Sequence, residues 1–252
     1  MASRLAWAYG LARSAVIYHG NPVRRWQSRR HYREFVAPGV LCFDIGAHVG
    51  DRTRVWRRLG ARVLAVEPQP RCMAVLRRLF ADDPSVTLIE AAVGAAPGRA
   101  ELLVSPRTPT VSTLSADWAG RMRRSPGFGG VAWPERHAVE LVTLDHLISQ
   151  HGMPAFCKID VEGFEAEALK GMSTALPCLS IEYVPAAIDV ARDAVNRLQA
   201  LGDYRFNATT GENKRWLLDA WLDGDDMLTW LRGRKVCDGS GDVYARLTAP
   251  TI

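Results

Sequence analysis

Short apolar runs alternate with stretches of helical periodicity along most of the chain. VLCFDI (40–45), RVLAVE (62–67) and AFCKID (155–160) are such runs, and each is followed by apolar residues at helical spacing. Strands that are apolar nearly throughout are typical of a parallel sheet covered by helices on both faces. The pattern therefore predicts an α/β protein with a doubly wound, mostly parallel sheet. Further strands are predicted at 86–91, 99–104, 138–144, 178–184, 204–207 and 241–247. Helices are predicted near 51–59, 70–80 and 187–201, and one more follows the run at 155–160 and ends at residue 170.

Two stretches interrupt this alternation and suggest how the chain is divided. Residues 1–36 have weak helical periodicity, and we expect them to form an N-terminal arm or cap on a domain that covers 37–252. Within that domain, residues 105–137 contain four prolines and several aromatic residues. A turn-rich segment of this length is usually functional, so we expect a substrate lid or an insertion there. The pattern at 215–235 predicts an amphipathic helix.

The composition is that of a globular protein, and the charge is distributed unevenly along the chain. The chain has 252 residues, of which 48% are hydrophobic and 23% charged, which excludes disordered and collagen-like proteins. Its net charge is +5, and seven arginines precede the first acidic residue, Glu34. For this basic arm we rank a cap on the domain first, contact with a membrane or glycolipid surface second, and nucleic acid third.

The cysteines and the apolar segments indicate the compartment. The five cysteines are odd in number and show no zinc-ligand spacing, which is typical of reduced thiols in a cytosolic protein. The longest uncharged run near the start, LAWAYGLA, is too short to span a bilayer. We therefore expect a cytoplasmic protein, with peripheral membrane contact through the arm as the alternative.

Acidic residues end two of the predicted strands, and glycines follow the first of them. Asp44 is followed by Gly46 and Gly50 at D-x-G-x-x-x-G spacing, which differs from the phosphate-cradling dinucleotide fingerprint. Glu67 ends the next strand about 20 residues further on, where an acid accepts the two hydroxyls of a ribose. The alternatives are a strand–helix turn with Asp44 as a cap, and an exposed carboxylate at Glu67. Together the residues suit an adenosine-type ligand that lacks phosphates and carries an amino acid, as S-adenosylmethionine does.

A third group of charges follows a later apolar run. In FCKIDVEGFE, Lys158, Asp160 and Glu162 occupy alternate positions and so share one side of a strand end. If this strand lies beside the first, they face the same crevice. As alternatives, Asp160 caps the helix that follows, and Lys158 pairs with a neighbouring carboxylate. We interpret Glu165 and Glu167 as solvated helix surface.

Six consecutive blocks resemble those of FkbM-type S-adenosylmethionine-dependent methyltransferases. They are FDIGAHVGDRT, VLAVEPQP, LIEAAVG, VTLDHLI, FCKIDVEGFEAEALKG and LSIEYV, which cover about residues 38–184, with GDVYARL near the end of the sequence. The resemblance implies a class I methyltransferase fold of seven strands, the last of them antiparallel. It also implies O-methylation of a hydroxyl on a sugar, glycan, glycolipid or natural product.

The resemblance assigns cofactor contacts residue by residue. The loop at the methionine end of the cofactor corresponds to Asp44, Gly46, His48 and Gly50, the ribose acid to Glu67, and the adenine side to the stretch from Glu90 through Ala92 to Val93. Family members often have Asn at the position of His48. It is therefore open whether His48 only contacts the cofactor or also moves a proton.

An alcohol needs a base to take its proton before it can attack the methyl group. Asp160 and Glu162 are the candidate catalytic residues, with Lys158 orienting them. Two carboxylates are equally suited to hold a divalent metal that lowers the pKa of the hydroxyl, although no histidine spacing indicates a metal. Two other classes stay open: a nicotinamide oxidoreductase, whose glycine spacing is missing, and a non-catalytic surface-binding module with a vestigial pocket.

Overall fold

The computed structural model describes residues 2–211 and 214–248, which form nine α-helices and ten strands. The helices are α1 (Ala2–His19), α2 (Pro22–Tyr32), α3 (Asp51–Arg58), α4 (Pro70–Phe80), α5 (Ala116–Met122), α6 (Leu144–His151), α7 (Glu165–Lys170), α8 (Ile188–Leu201) and α9 (Gly224–Arg232). The strands are β1 (Leu41–Ile45), β2 (Arg62–Val66), β3 (Val86–Ile89), β4 (Ala92–Val93), β5 (Gly98–Val104), β6 (Glu135–Val142), β7 (Phe156–Ile159), β8 (Cys178–Tyr183), β9 (Tyr204–Thr210) and β10 (Gly241–Leu247).

In the described ranges, the main sheet has seven strands in the order β3-β2-β1-β7-β8-β10-β9. The first five run parallel to one another. β10 is antiparallel to both of its neighbours, β8 and β9. The predicted α/β sheet, with its last strand antiparallel, is confirmed. The chain leaves β1 towards β3 and later returns to β7 on the other side of β1, so the crevice beyond the ends of β1 and β7 is where such sheets bind ligands.

Both faces of the sheet are covered, as the continuous apolar strands predict. Cys42 and Phe43 are neighbours in β1 but point to opposite faces and join different apolar clusters. Phe43 packs with residues of α6 to α9. Cys42 packs with α3, α4 and the arm, because Tyr32 at the end of α2 is fully buried beside Trp56. The second arm helix is therefore part of the core.

The first arm helix lies against the mid-chain segment. Trp7 is buried, and its Nε1 donates to Glu135 Oε2 at 3.0 Å. A Cβ at Gly10 would lie 2.2 Å from the carbonyl oxygen of Pro106, so glycine allows α1 to approach this closely. None of the helices in residues 2–211 and 214–248 has the length and apolar content needed to cross a bilayer.

Two predicted strands lie outside the main sheet, and one predicted helix is shorter than expected. The strands predicted at 99–104 and 138–144 are β5 and β6, which form a separate small sheet, β4-β6-β5. The helix predicted at 215–235 is wrong in its first half, since α9 covers only Gly224–Arg232. Trp216 instead bridges to Thr209 of β9 and packs 5.0 Å from the ring of Tyr244. Burial of this aromatic ring outweighs a weak helix preference.

The segment 105–137 has a packed interior of its own. It contains a 3₁₀ turn at Pro109–Val111, helix α5 and the start of β6. Trp118 and Trp133 are buried, and Trp133 Nε1 donates to the carbonyl oxygen of Val111 at 2.7 Å. Opening of this segment as a substrate lid stays a prediction.

Candidate active site

The loop between β1 and α3 is held tightly under the neighbouring strands. The amides of Gly46 and Ala47 both donate to the carbonyl oxygen of Val66, at 2.9 and 3.0 Å. Gly46 has a φ of +84°, and a Cβ there would lie 1.9 Å from the carbonyl oxygen of Asp160. Only glycine satisfies both constraints. The loop therefore runs directly against the end of β7, as required for a shared crevice.

Asp44 is a buried carboxylate at the end of β1. Its Oδ2 accepts the backbone N–H of Thr53 at 2.9 Å and the hydroxyl of Thr53 at 2.5 Å. Thr53 is in the first turn of α3, so Asp44 does cap this helix from the strand. Burial raises the pKa of Asp44 to about 6, against the lowering effect of the Thr53 bond. The alternative of a capping role is confirmed, and it leaves cofactor contact at the second oxygen as a prediction.

Glu67 directly follows β2 and points back into the protein. Its Oε2 accepts the backbone N–H of His48 and its Oε1 that of Gln69, both at 2.8 Å. Burial raises the pKa of Glu67 to about 7, although these two hydrogen bonds act in the opposite direction. With 2% of its surface exposed, Glu67 is not the exposed carboxylate of the alternative interpretation.

Lys158 lies beneath the end of β7 in a buried chain of charges. Its Nζ is 2.6 Å from Asp242 Oδ1 and 3.1 Å from Asp160 Oδ2. The other oxygen of Asp242 is 2.6 Å from Lys214 Nζ. Burial alone would lower the pKa of Lys158, but Asp160 and Asp242 outweigh it and raise this pKa well above its ordinary value. The predicted pairing of Lys158 with a carboxylate is confirmed.

Above this chain, three carboxylates come together. Oxygens of Asp160, Glu162 and Glu182 lie within 4.8 Å of one another, close enough for one divalent cation to contact all three. Burial and then the negative charges of the neighbouring acids raise the pKa of Glu162 and of Glu182 well above the ordinary value. Oε2 of Glu182 is buried without a hydrogen-bond partner among the described residues. Within the cluster, Asp160 thus contacts the cation Lys158, whereas Glu182 still lacks a hydrogen-bond donor at Oε2 in this part of the chain.

The turn after β7 is capped by a residue that the sequence interpretation placed elsewhere. Glu165 was expected on the solvated helix surface, which is wrong, because its side chain is buried. Its carboxylate accepts the backbone N–H groups of Val161 and Gly163. The cap position of α7 is Phe164, so Asp160 lies four residues before it and does not cap this helix. Burial raises the pKa of Glu165 to about 7.

Two adjoining clefts open at this edge of the sheet and share Gly46, His48, Thr110, Asp160 and Glu162. The first has about 510 Å³ of space between protein atoms, part of it open to solvent. It is lined by Ile45, Gly46, His48, Val66, Glu67, Pro68, Gln69, Ala91, Ala92, Val93, Leu102, Thr110, Ser112, Leu114, Asp160, Val161 and Glu162. The second has about 620 Å³ and is lined by Tyr18, Asp44, Gly46, Ala47, His48, Val49, Asp51, Arg52, Thr110, Lys158, Asp160, Glu162 and Glu182.

The structure brings most of the predicted site residues to these clefts, and two lie outside their lining. Gly50 begins α3 with a φ of +80°, packed beside Leu76 of α4. Glu90 is exposed, and its Oε2 is 2.7 Å from Arg77 Nη2. Ala92, two residues further on, does line the first cleft.

The sequence interpretation did not single out Glu182, Asp242 or the contact of the arm with His48. Glu182 and Asp242 each interrupt an apolar strand near one end, which is the signal that identified Asp160. The arm gives no such signal. Ser14 Oγ is 3.5 Å from His48 Nε2, and the ring of Tyr18 packs edge-on against His48 with 5.7 Å between centroids. Helix α1 thus lines the second cleft through Tyr18 and contacts His48, which lines both clefts.

The strand order, the antiparallel last strand and a crevice at the β1–β7 switch point define a class I methyltransferase fold. Residues 44–196 match the family described as the methyltransferase FkbM domain. The chain therefore belongs to the FkbM methyltransferase family, as the six blocks predict, and its cofactor is S-adenosylmethionine. This excludes the nicotinamide oxidoreductase.

Several solved structures with little sequence identity are similar to this chain. The TehB-like SAM-dependent methyltransferase of Corynebacterium glutamicum is 11% identical, covers 97% of this chain and 99% of its own, and has a TM-score of 0.51. The O-methyltransferase of Bacillus cereus in complex with SAH is 12% identical, with coverages of 98% and 90% and a TM-score of 0.48. Precorrin-6y C5,15-methyltransferase of Geobacter metallireducens is 13% identical, with coverages of 89% and 87% and a TM-score of 0.47. No curated protein matches the chain.

Proposed function

We propose that this methyltransferase transfers the methyl group to a hydroxyl oxygen of a sugar, glycan, glycolipid or natural product in the cytoplasm. The observation that carries this proposal is the cluster of Asp160, Glu162 and Glu182 at the mouth of the cofactor crevice. A hydroxyl is a poor nucleophile until a positioned base takes its proton. Carboxylates next to the methyl donor are suited to that task.

The first cleft is the proposed cofactor site. S-adenosylmethionine supplies an electrophilic methyl group on its sulfonium, so the residues of this chain have to align the partners and exclude water. The buried carboxylate of Glu67 is suited to accept the ribose hydroxyls, and Ala92 lies where the adenine ring is expected. The loop of Gly46 and His48 joins the two clefts, which suits the methionine end of the cofactor.

The second cleft is the proposed site of the acceptor hydroxyl. Asp160 lines both clefts, and we assign it the role of the base that takes the hydroxyl proton. Lys158 Nζ lies 3.1 Å from Asp160 Oδ2 and fixes its orientation. Burial and the neighbouring acids raise the pKa of Glu162 and of Glu182, which favours the protonated carboxyl, and a protonated carboxyl is suited to donate a hydrogen bond to an acceptor oxygen.

The experiment that tests this function has two stages. Calorimetry of the full chain with S-adenosylmethionine is expected to show binding, and failure to bind would favour the non-catalytic module. Cofactor with a labelled methyl group is then incubated with hydroxylated sugars, glycolipids and aromatic natural products. We expect label on an oxygen of one class, and no label on the matched acceptor whose hydroxyl is replaced by hydrogen. Label on nitrogen or carbon would contradict O-methyl transfer.

A further inference from the structure

The outward face of the arm is apolar, although the helix that carries it already buries its other face. Trp7, Gly10 and Ser14 of α1 face the protein. On the opposite side, Leu5, Tyr9 and Val16 are exposed, Val16 with 72% of its surface. Ala8, Ala12 and Ala15 are exposed as well, and Arg13 lies at the border of this face, one turn from Tyr9 and from Val16. A helix that is apolar on both faces is unusual on a water-exposed surface and marks a contact site.

The second arm helix also exposes apolar side chains. Val23 and Trp26 of α2 are both exposed, each with 60% of its surface. Arg24 Nη1 donates to the carbonyl oxygen of Ile17 at 3.5 Å, which joins the two helices at their turn. The guanidinium of Arg30 lies over the Trp26 ring, 5.7 Å from its centroid. An exposed tryptophan beside arginines is a typical composition for the boundary between water and lipid.

Beside these residues, four arginines gather where α2 packs on α3. Arg25 and Arg29 are one turn apart on α2, and Arg54 and Arg58 one turn apart on α3. In residues 2–211 and 214–248, none of the four forms an ion pair with a carboxylate. Nε of Arg25 and of Arg29 is buried without a partner in that part of the chain. Partial burial and then the charges of the other three arginines lower the pKa of Arg58.

We infer that this surface, formed by Leu5, Tyr9, Val16, Val23 and Trp26 with the four arginines, binds the anionic surface of a phospholipid membrane. Lipid phosphates neutralise the arginine cluster, and the apolar side chains enter the boundary between headgroups and acyl chains. The contact is peripheral, so the domain and its clefts stay in water.

Two other occupants fit the surface less well. A second copy of the chain in a two-fold interface would place the arginine cluster against itself, and like charges repel. A nucleic acid would neutralise the arginines through its phosphates but leave the exposed aliphatic residues without a partner. Of these three occupants, the lipid surface is the one that satisfies both the charged and the apolar part.

Vesicle sedimentation with the full chain tests this inference without any methyl transfer. We expect binding to phosphatidylcholine vesicles that contain phosphatidylglycerol, weakened by salt, and no binding to phosphatidylcholine alone. Arg54→Gln with Arg58→Gln should lower the affinity about tenfold or more, because each basic residue near an anionic surface contributes. Trp26→Ser should lower it by a similar factor.

Two control variants carry matched changes away from this surface. Arg99→Gln with Arg136→Gln removes two arginines that are paired with Glu140 and Glu101, and Leu79→Ser removes an exposed apolar side chain of α4. Both are expected to bind vesicles as the original chain does. The inference is overturned if the original chain ignores anionic vesicles, or if the controls lose as much affinity. It is also overturned if light scattering shows a dimer that Val16→Asp dissociates.

Discussion

The acidic side chains at the two halves of the carboxyl edge of the sheet have opposite surroundings. At the β1–β2 end, Asp44 and Glu67 each accept two hydrogen bonds from fixed protein donors. At the β7–β8 end, Asp160, Glu162 and Glu182 face one another instead. The nearest buried cation, Lys158, is shared between Asp160 and Asp242 and lies closer to Asp242.

This difference in hydrogen bonding suggests a different task for each half of the edge. A carboxylate whose position is fixed by backbone N–H groups is pre-organised to recognise a ligand, and its loss should appear in affinity. Carboxylates that face one another, such as Glu182, whose Oε2 has no donor among the described residues, complete their environment only when a reacting partner arrives, and their loss should appear in rate. We therefore expect the β1–β2 half to determine cofactor binding and the β7–β8 half to determine turnover.

The largest effect is expected for Asp160→Asn. This change keeps the shape of the side chain but removes the proton acceptor, so kcat should fall about 100-fold or more. The Kd of S-adenosylmethionine in calorimetry should stay nearly unchanged. Glu167→Gln, which alters an exposed acid paired with Lys170 on α7, is the matched control and should leave kcat unchanged.

If Asp160→Asn and Glu162→Gln both keep full turnover, the base lies elsewhere, and His48 is the next candidate. A metal role is distinguished by a chelator. If the three carboxylates hold a divalent ion, the chelator abolishes activity and added magnesium or manganese restores it. If Asp160 acts directly as the base, the chelator has no effect.

A comparable effect concerns the stability of the folded protein and tests the burial of Glu67 in the β1–β2 half. The pKa of Glu67 is raised from 4.5 to about 7 by burial, so the folded state binds the proton more tightly than the unfolded state. Its contribution is fully present below pH 4.5 and is lost as the pH rises towards 7, by about 3 kcal/mol. The stability of the original chain should therefore fall relative to Glu67→Gln over this window, measured by denaturant unfolding at several pH values. Parallel pH curves would show that Glu67 is solvated.

Cofactor affinity tests the same half directly. Glu67→Ala should weaken S-adenosylmethionine binding by about 1–3 kcal/mol, the cost of a lost hydrogen bond to a charged group. Glu90→Ala serves as the control, because Glu90 is exposed, pairs with Arg77 and does not line either cleft. We expect calorimetry to show little change for Glu90→Ala. An equal loss of affinity in both variants would indicate that Glu90 also contacts the adenine end of the cofactor.

The smallest effect is expected where the two halves meet. His48 lines both clefts, and Ser14 of the arm reaches it only at 3.5 Å, a long hydrogen bond. Ser14→Ala should therefore change the Kd of S-adenosylmethionine by less than about threefold. Ser149→Ala, an exposed serine on α6, gives the reference. A tenfold loss in Ser14→Ala alone would make the arm a working part of the cofactor site.

The local pattern of apolar and polar residues was sufficient to predict the main elements of the fold and part of the candidate site. Asp44, Glu67 and Asp160 could be found because each ends an apolar run, and strand ends on one edge of a parallel sheet lie close together. Gly46 could be found because a glycine after a strand permits close backbone approach. Such signals depend only on residues a few positions apart.

The sequence by itself therefore determined the α/β alternation, the family and the acids at the ends of β1, β2 and β7. Only the tertiary structure decided which distant acids and cations meet. Asp242 reaches Lys158 across 84 positions because β10 inserts beside β8, and the register of these strands pairs Asp242 with Glu182. It also decided that Glu165 is buried. The physical reason is that strand order and burial follow from packing of the whole chain, which short-range periodicity does not encode.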